Sequence, residues 1–348
     1  MGALVNTGGG QTVAVESMGK MATSDCDGPA GLNSLITGAS GAAFPSEVLM
    51  AQTWSKEVAY DIGSSMGSEF ASANNFGWYG PAMNLHRSAF AGRNFEYYSE
   101  DGVLSGLIAV NEANGAAQYG VYPYLKHFAL NDQELGRTAI LLTYADEQTI
   151  RENYLKPFEL AVKGFEGKAL AVMSSYNWIG TVPSCANSSL LQNVLREEWG
   201  FEGMVETDYD GSYGFMITDA VIRNGGDLML GYGSYETNEL SKKSVTQANA
   251  MRRASHNILY TIANSGYYGV TSIADSEAED AEQTEAPEAT AAPEATAAPE
   301  AAPQASNMDR LFQKINLGAG IGLGVVEILV PYTPLAPPPK RKIWCSVA

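Results

Sequence analysis

The chain has 348 residues, 45% of them hydrophobic and 17% charged, which is enough apolar material for one large or two ordinary folded domains. Its formal net charge is −18, but nine Asp or Glu and no Lys or Arg fall between positions 271 and 303, so the remainder is only mildly acidic. A mildly acidic body without Lys/Arg clusters excludes an electrostatic footprint for nucleic acid and suits a neutral ligand such as a sugar.

Taken in order, the first 20 residues are Gly/Thr/Val-rich and lack the basic-then-apolar order of a secretory signal. From there to residue 270, short β-type runs alternate with amphipathic helical runs, the pattern of repeated βα units around a parallel sheet. Strands are expected at residues 20–24, 78–85, 122–129, 169–175, 204–208 and 226–230. Helices are expected at 45–71, opened by Pro45, and at 147–163, 188–199 and 246–263. Polar or Gly-rich residues close the strands, and no GxGxxG turn follows the first one, which favours a barrel over a doubly wound sheet. Six legible strands fall two short of a closed ring. The expectation is therefore an α/β fold, a (β/α)8 TIM-type barrel that is collapsed or incomplete at its N-terminal end.

Residues 271–306 contain PEATAAPEATAAPEAAP, a Pro/Glu/Ala/Thr composition that cannot bury enough apolar surface to fold and reads as a disordered linker. Beyond it, within 307–348, residues 315–332 form a largely apolar run containing Glu327, followed by Pro-rich sequence and Lys340-Arg341-Lys342. This run is at the short limit for a membrane span. Read as a C-terminal transmembrane helix with the basic cluster on the cytoplasmic side, it anchors residues 1–270 outside the cytoplasm. Read as an interfacial or disordered tail, it leaves the body cytoplasmic.

The cysteines Cys26, Cys185 and Cys345 form neither a CxxC pair nor a disulfide framework, and three histidines lack zinc spacing, so no metal or cofactor is expected. The sharpest chemical feature is the run 203–210, Gly-Met-Val-Glu-Thr-Asp-Tyr-Asp, a strand ending in Asp208 on the face where barrel enzymes place their chemistry. An ordinary loop cap explains that acid as well. Lys126-His127 closes another strand, and Arg93 and Glu96 follow a third. Grouped donors at strand ends suit the vicinal hydroxyls of a pyranose, although Lys126 alone fits a Schiff-base lysine or a structural ion pair equally. Asp27 sits on the Gly/Pro turn after the first strand, where it either accepts two sugar hydroxyls or stabilises the turn.

Together these pieces resemble glycoside hydrolase family 3. The matching motifs are Asp27-Gly28-Pro29, Asn84-Leu85-His86-Arg87-Ser88 running into Gly92-Arg93-Asn94-Phe95-Glu96-Tyr97-Tyr98-Ser99-Glu100-Asp101, Lys126-His127-Phe128, Met173-Ser174-Ser175-Tyr176-Asn177 and Thr207-Asp208-Tyr209. They stand in the family's order across residues 20–265. The resemblance implies a retaining, exo-acting β-glucosidase-type hydrolase of β-linked oligosaccharides or aryl and alkyl glycosides. It implies Asp208 as nucleophile, with Asp27, Arg93, Lys126, His127 and Tyr176 around the non-reducing-end sugar. Tyr209 takes the place of an aromatic wall, and Met173, Glu100 and Asp101 are expected as support.

Two departures qualify this expectation. The general acid/base of two-domain relatives comes from a sandwich domain that normally follows the barrel, whereas linker and tail follow it here. That fits a barrel whose sandwich domain precedes it or is supplied elsewhere. The alternative is a non-catalytic glycan-binding remnant of the family. Glu206 stands where relatives usually have an apolar residue, two positions before Asp208 and roughly 7 Å from it on the same face. It is expected to raise the pKa of the nucleophile, to substitute for the missing acid/base, or to be only a polar residue of the barrel interior.

Overall fold

Six short strands form the central sheet, in the order Gln11–Thr12, Thr23–Cys26, Gly77–Trp78, Tyr122–Phe128, Ala171–Ser174 and Met204–Glu206. The computed structural model describes residues 1–6, 9–210, 213–231 and 244–271. Five of the strands run parallel, in register through Asp25↔Gly77, Gly77↔Tyr122, Tyr124↔Ala171 and Ala171↔Met204. Every residue of Tyr122–Phe128 is buried, because helices and barrel interior cover both faces of a parallel strand.

The result is a TIM-barrel-like α/β fold whose described sheet is half a barrel, in line with an incomplete rather than a closed ring of eight strands. On one side the progression ends because Thr23–Cys26 pairs antiparallel with Gln11–Thr12. On the other, the strand expected at 226–230 joins Met204–Glu206 through one bridge, Glu206↔Leu228. Asp227 fastens it there: its wholly buried carboxylate accepts from Arg196 Nη2 at 2.6 Å, Val205 N at 2.8 Å and Asn257 Nδ2 at 2.9 Å. Beyond the bridge, Met229 N–H donates to the Val5 carbonyl at 2.9 Å, so the first residues lie against this segment.

The helices differ from expectation in instructive ways. The helix expected at 45–71 is two, Glu47–Ala51 and Lys56–Ser72. Trp54 between them takes a left-handed φ of 53°, and the Ser55 hydroxyl caps the second helix by accepting Val58 N–H. The segment 147–163 is three consecutive turns, the middle one a wider π-type turn at Ile150–Tyr154. Helix Gly102–Ala117 was absent from the expected elements. It is small and apolar nearly all round and buries eleven of its residues, so it has no polar stripe to mark a helical period. It crosses Lys56–Ser72 at glycine contacts: a Cβ on Gly63 would lie 1.9 Å from the Glu112 carbonyl, and one on Gly115 2.2 Å from that of Tyr60. Asp101 caps this helix, accepting from Val103 and Leu104 N–H at 2.7 and 3.0 Å.

The core lies between the sheet and these helices. Phe128, whose ring centroid is 5.1 Å from Phe158 and 5.9 Å from Trp199, is one of its fully buried aromatics, each contributing about 1.5–3 kcal/mol by leaving water. Glu112 is wholly buried among them and accepts the Tyr98 hydroxyl. No helix among the described residues is long and apolar enough to cross a membrane. The linker, apart from Thr271, and the C-terminal apolar helix lie outside the described residues.

Candidate active site

A cavity of about 360 Å³ opens at the C-terminal ends of the strands. Seven of the sequence-predicted residues line it: Asp27, Arg93, Lys126, His127, Met173, Asp208 and Tyr209. Strand periodicity accounts for part of this convergence, since each contributing strand delivers its last residues to one rim.

Asp208 lines the cavity just past the end of the strand Met204–Glu206. Oδ1 accepts the N–H of Tyr209 at 2.7 Å, fixing the group against its own backbone. Oδ2 is buried, accepts no hydrogen bond among the described residues, and lies 3.6 Å from Arg137 Nη1 and 3.8 Å from His127 Nε2. Burial raises the Asp208 pKa, and the charge of Arg137, then those of Arg93 and Lys126, oppose that rise. His127 is pushed the other way, well below the usual imidazole range, by burial and by Arg93, Lys126 and Arg137, so it is neutral. Asn84 holds it: Oδ1 accepts His127 N–H at 2.8 Å while Nδ2 donates to His127 O at 2.9 Å.

Around this carboxylate the polar groups are paired in ways that keep them facing the cavity. Lys126 is almost wholly buried, with Nζ 3.5 Å from Asp27 Oδ1. Asp27 remains more than half exposed on its turn, where Gly28 takes φ 115° and a Cβ would run into the Gly31 carbonyl. Arg93 pairs through Nε with Glu96, and its Nη1 lies 3.8 Å from Glu134. Glu134 also holds Arg137 Nε at 2.9 Å, so one carboxylate steadies both guanidinium groups.

Tyr176 lies behind the lining. Its hydroxyl donates to the Tyr209 carbonyl, and its ring sits 4.5 Å beneath the Arg137 guanidinium carbon. Glu206 lies deeper still: it is wholly buried, does not line the cavity and, among the described residues, has only the Tyr79 and Tyr124 hydroxyls beside it, neither in normal hydrogen-bond geometry. The geometry therefore gives no support to an acid/base role in this cavity, because a proton donor must reach the departing oxygen. The observed burial fits a polar residue of the barrel interior.

Sequence reasoning missed Arg137, Glu134, Asp25 and Tyr79. Arg137 and Glu134 come from a loop without periodicity, and only their position after the Lys126-His127 strand end hinted at them. Asp25 was legible in principle, since it lies two residues before Asp27, at the end of the strand Thr23–Cys26 that leads into the Asp27 turn. Its carboxylate accepts the hydroxyls of Tyr122 and, at 2.9 Å, Tyr124, and it lines the cavity together with Tyr79.

Residues 14–221 match the Glycosyl hydrolase family 3 N terminal domain. The chain is 40% identical over 220 residues to a beta-glucosidase of Rhizobium radiobacter, covering 62% of this chain and 26% of that one. It is 38% identical over 233 residues to beta-glucosidase A of Butyrivibrio fibrisolvens, covering 66% and 27%. Among solved structures it resembles beta-glucosidase 3B from Thermotoga neapolitana in complex with glucose, at a TM-score of 0.67 and 30% identity over 81% of this chain and 43% of that one. A GH3 beta-glucosidase of Bifidobacterium adolescentis superposes at a TM-score of 0.70, with 28% identity over 81% and 42%. The chain thus spans about a quarter of the length of these two sequence relatives.

Proposed function

Since the chain belongs to glycosyl hydrolase family 3, we propose that it carries the sugar-binding half of a retaining β-glucosidase-type site with Asp208 as nucleophile. One observation carries this reading: Asp208 lines a cavity of about 360 Å³, with Oδ1 pinned by Tyr209 N–H and Oδ2 set between Arg137 and His127 without a hydrogen bond among the described residues. A carboxylate so held is oriented for attack on an anomeric carbon, and its neighbours Arg137, Arg93 and Lys126 favour the ionised form that the attack requires.

Attack by the Asp208 carboxylate forms a glycosyl ester and expels the aglycone oxygen, protonated by the general acid, through an oxocarbenium-like transition state, and water then cleaves the ester with retention. Asp27, Lys126, Arg93 and the neutral His127 are assigned to the sugar hydroxyls, Tyr176 to holding the Tyr209 backbone, and Met173 and Tyr209 to the wall. The second carboxyl must stand about 5–5.5 Å from the nucleophile. Asp27 faces Lys126 and Asp25 is engaged by two tyrosines, so we assign the acid/base to a group outside the described lining, as a sandwich domain would supply. We keep the membrane anchor at 315–332 as a proposal of the sequence alone.

The test is incubation with a 2-deoxy-2-fluoro β-glucoside bearing a dinitrophenyl leaving group, followed by peptide mapping. The label is expected on Asp208. Labelling of Asp210 or Asp27 overturns the assignment, and glucose binding without any labelling selects the glycan-binding remnant.

A further inference from the structure

Beneath the cavity wall, Glu206 is a carboxyl group that no cation faces among the described residues. It is wholly buried between its register partners Met173 and Leu228, and neither of its oxygens meets a hydrogen-bond donor of normal geometry. The titratable groups facing it are Asp25 from the strand Thr23–Cys26, Tyr79 from the segment after Gly77–Trp78, Tyr124 from Tyr122–Phe128, and Asp208 farther along its own strand. Two of these are tyrosines and the other two are acids. Burial, then the charge of Asp25, hold the Glu206 pKa well above the carboxylate range. The two acids of the pair are unequally served: Asp25 accepts the hydroxyls of Tyr122 and Tyr124 and feels the Lys20 charge, whereas Glu206 has beside it only the Tyr79 and Tyr124 hydroxyls, in poorer geometry, and no cation among the described residues. A single charge between them therefore rests on Asp25, and Glu206 keeps its proton.

That proton has a short route to the cavity. Tyr79 lines the cavity, packs edge-on against Tyr124 with ring centroids 4.9 Å apart, and lies beside Glu206. Asp25 lines the same cavity and is tied to Tyr124. Glu206 thus borders two groups that the ligand would meet, without meeting the ligand itself.

We propose that Glu206 is a positioning residue held as an uncharged carboxylic acid, whose O–H is shared with the Tyr79 and Tyr124 hydroxyls, and that its ionisation loosens Tyr79 and Asp25 in the cavity wall and weakens sugar binding on the alkaline side. This rests on the sugar-binding reading of the cavity. An ionised Glu206 would place a second anion beside Asp25 and within reach of Asp208, and the tyrosine hydroxyls would turn toward it. The Asp25 contacts that use those hydroxyls would then open.

The experiment uses the full 348-residue chain as wild type, Glu206→Gln, Glu206→Met and Glu112→Gln, the last altering a buried acid that does not line the cavity. D-glucose affinity and thermal midpoint are followed from about pH 6 to about pH 9. Wild-type affinity is expected to fall about tenfold for each pH unit beyond the Glu206 ionisation. Glu206→Gln should hold wild-type affinity with a flat profile, whereas Glu206→Met, of similar volume but without a donor, should be flat and about tenfold weaker. Glu112→Gln should flatten the midpoint alone and leave the wild-type affinity profile. An alkaline loss in Glu206→Gln equal to that of wild type, or wild-type affinity in Glu206→Met, overturns the proposal. If no chain binds glucose, the sugar-binding reading fails, and the midpoints still judge Glu206: a smaller alkaline fall in Glu206→Gln than in wild type supports the buried proton, and parallel curves overturn it.

Discussion

Arg137 places a guanidinium nitrogen 3.6 Å from the Asp208 oxygen that carries no hydrogen bond. The same guanidinium rests over the ring of Tyr176 and is steadied by Glu134, so its position is set from two sides. Among the charges opposing the burial of Asp208 it is the largest influence.

Removing it should therefore be felt in the pH profile as well as in the rate. Arg137→Ala is expected to lower kcat/KM for an activated aryl β-glucoside by about 10- to 100-fold, the loss of one charge-assisted contact. Without that cation Asp208 holds its proton to higher pH, so the acidic limb of the profile should move upward. A rate loss with an unmoved limb would mean that Arg137 acts on the sugar and not on Asp208.

Glu112 gives a stability prediction with a defined sign. Burial lifts its pKa to about 8, so the folded state holds the proton more tightly than the unfolded chain, whose Glu titrates near the ordinary 4.5. Stability is full below the unfolded value and is lost as pH rises toward the folded one. Glu112→Gln should match the wild type in urea unfolding near about pH 4 and exceed it by up to about 3 kcal/mol near pH 7. Equal curves at both pH values would show that the buried group gains no proton on folding.

The helix crossing at Gly63 and Gly115 leaves no room for a methyl group, because either added Cβ would fall inside the partner's backbone. Gly115→Ala should cost about 1–3 kcal/mol or more in denaturant unfolding, since backbone cannot step aside as a side-chain tip can. Gly136→Ala, where a Cβ meets nothing within 4 Å, serves as the comparison at a second glycine. Its φ of 80° should cost only about 1 kcal/mol.

Asp227→Ala removes the acceptor shared by Arg196, Val205 N–H and Asn257 and leaves a partly buried guanidinium short of its partner. A loss of about 3–5 kcal/mol is expected. Hydrogen exchange should also speed at Leu228 and Met229, whose amides bond to Val205 and Val5. Unchanged exchange there would mean that the edge segment is held by packing alone.

Much of the site was legible because strand ends converge: motifs spread from Asp27 to Tyr209 line one cavity, as their placement at strand termini implies. Where the sheet stops was not, since short pairings such as Gly77–Trp78 and a single bridge at Leu228 leave no trace in the sequence of which barrel edge is open. Helix Gly102–Ala117 escaped because periodicity reports a boundary with water, and this helix has almost none. Arg137 escaped for a different reason, as its loop acquires meaning only from what lies opposite in space. Glu206 was singled out by its residue type, yet its depth below the cavity followed from neighbouring strands that spacing along one strand cannot encode.

Tyr209 divides its labour between main chain and side chain. Its N–H orients Asp208 and its carbonyl receives Tyr176, while its ring, 37% exposed, faces the cavity. The machinery that aims the carboxylate is thus indifferent to which aromatic stands at 209. On the proposed reading, selection, natural or in the laboratory, is expected to alter the preference for what the sugar is attached to at this one codon, because Asp208 is held by a backbone N–H that every amino acid except proline shares.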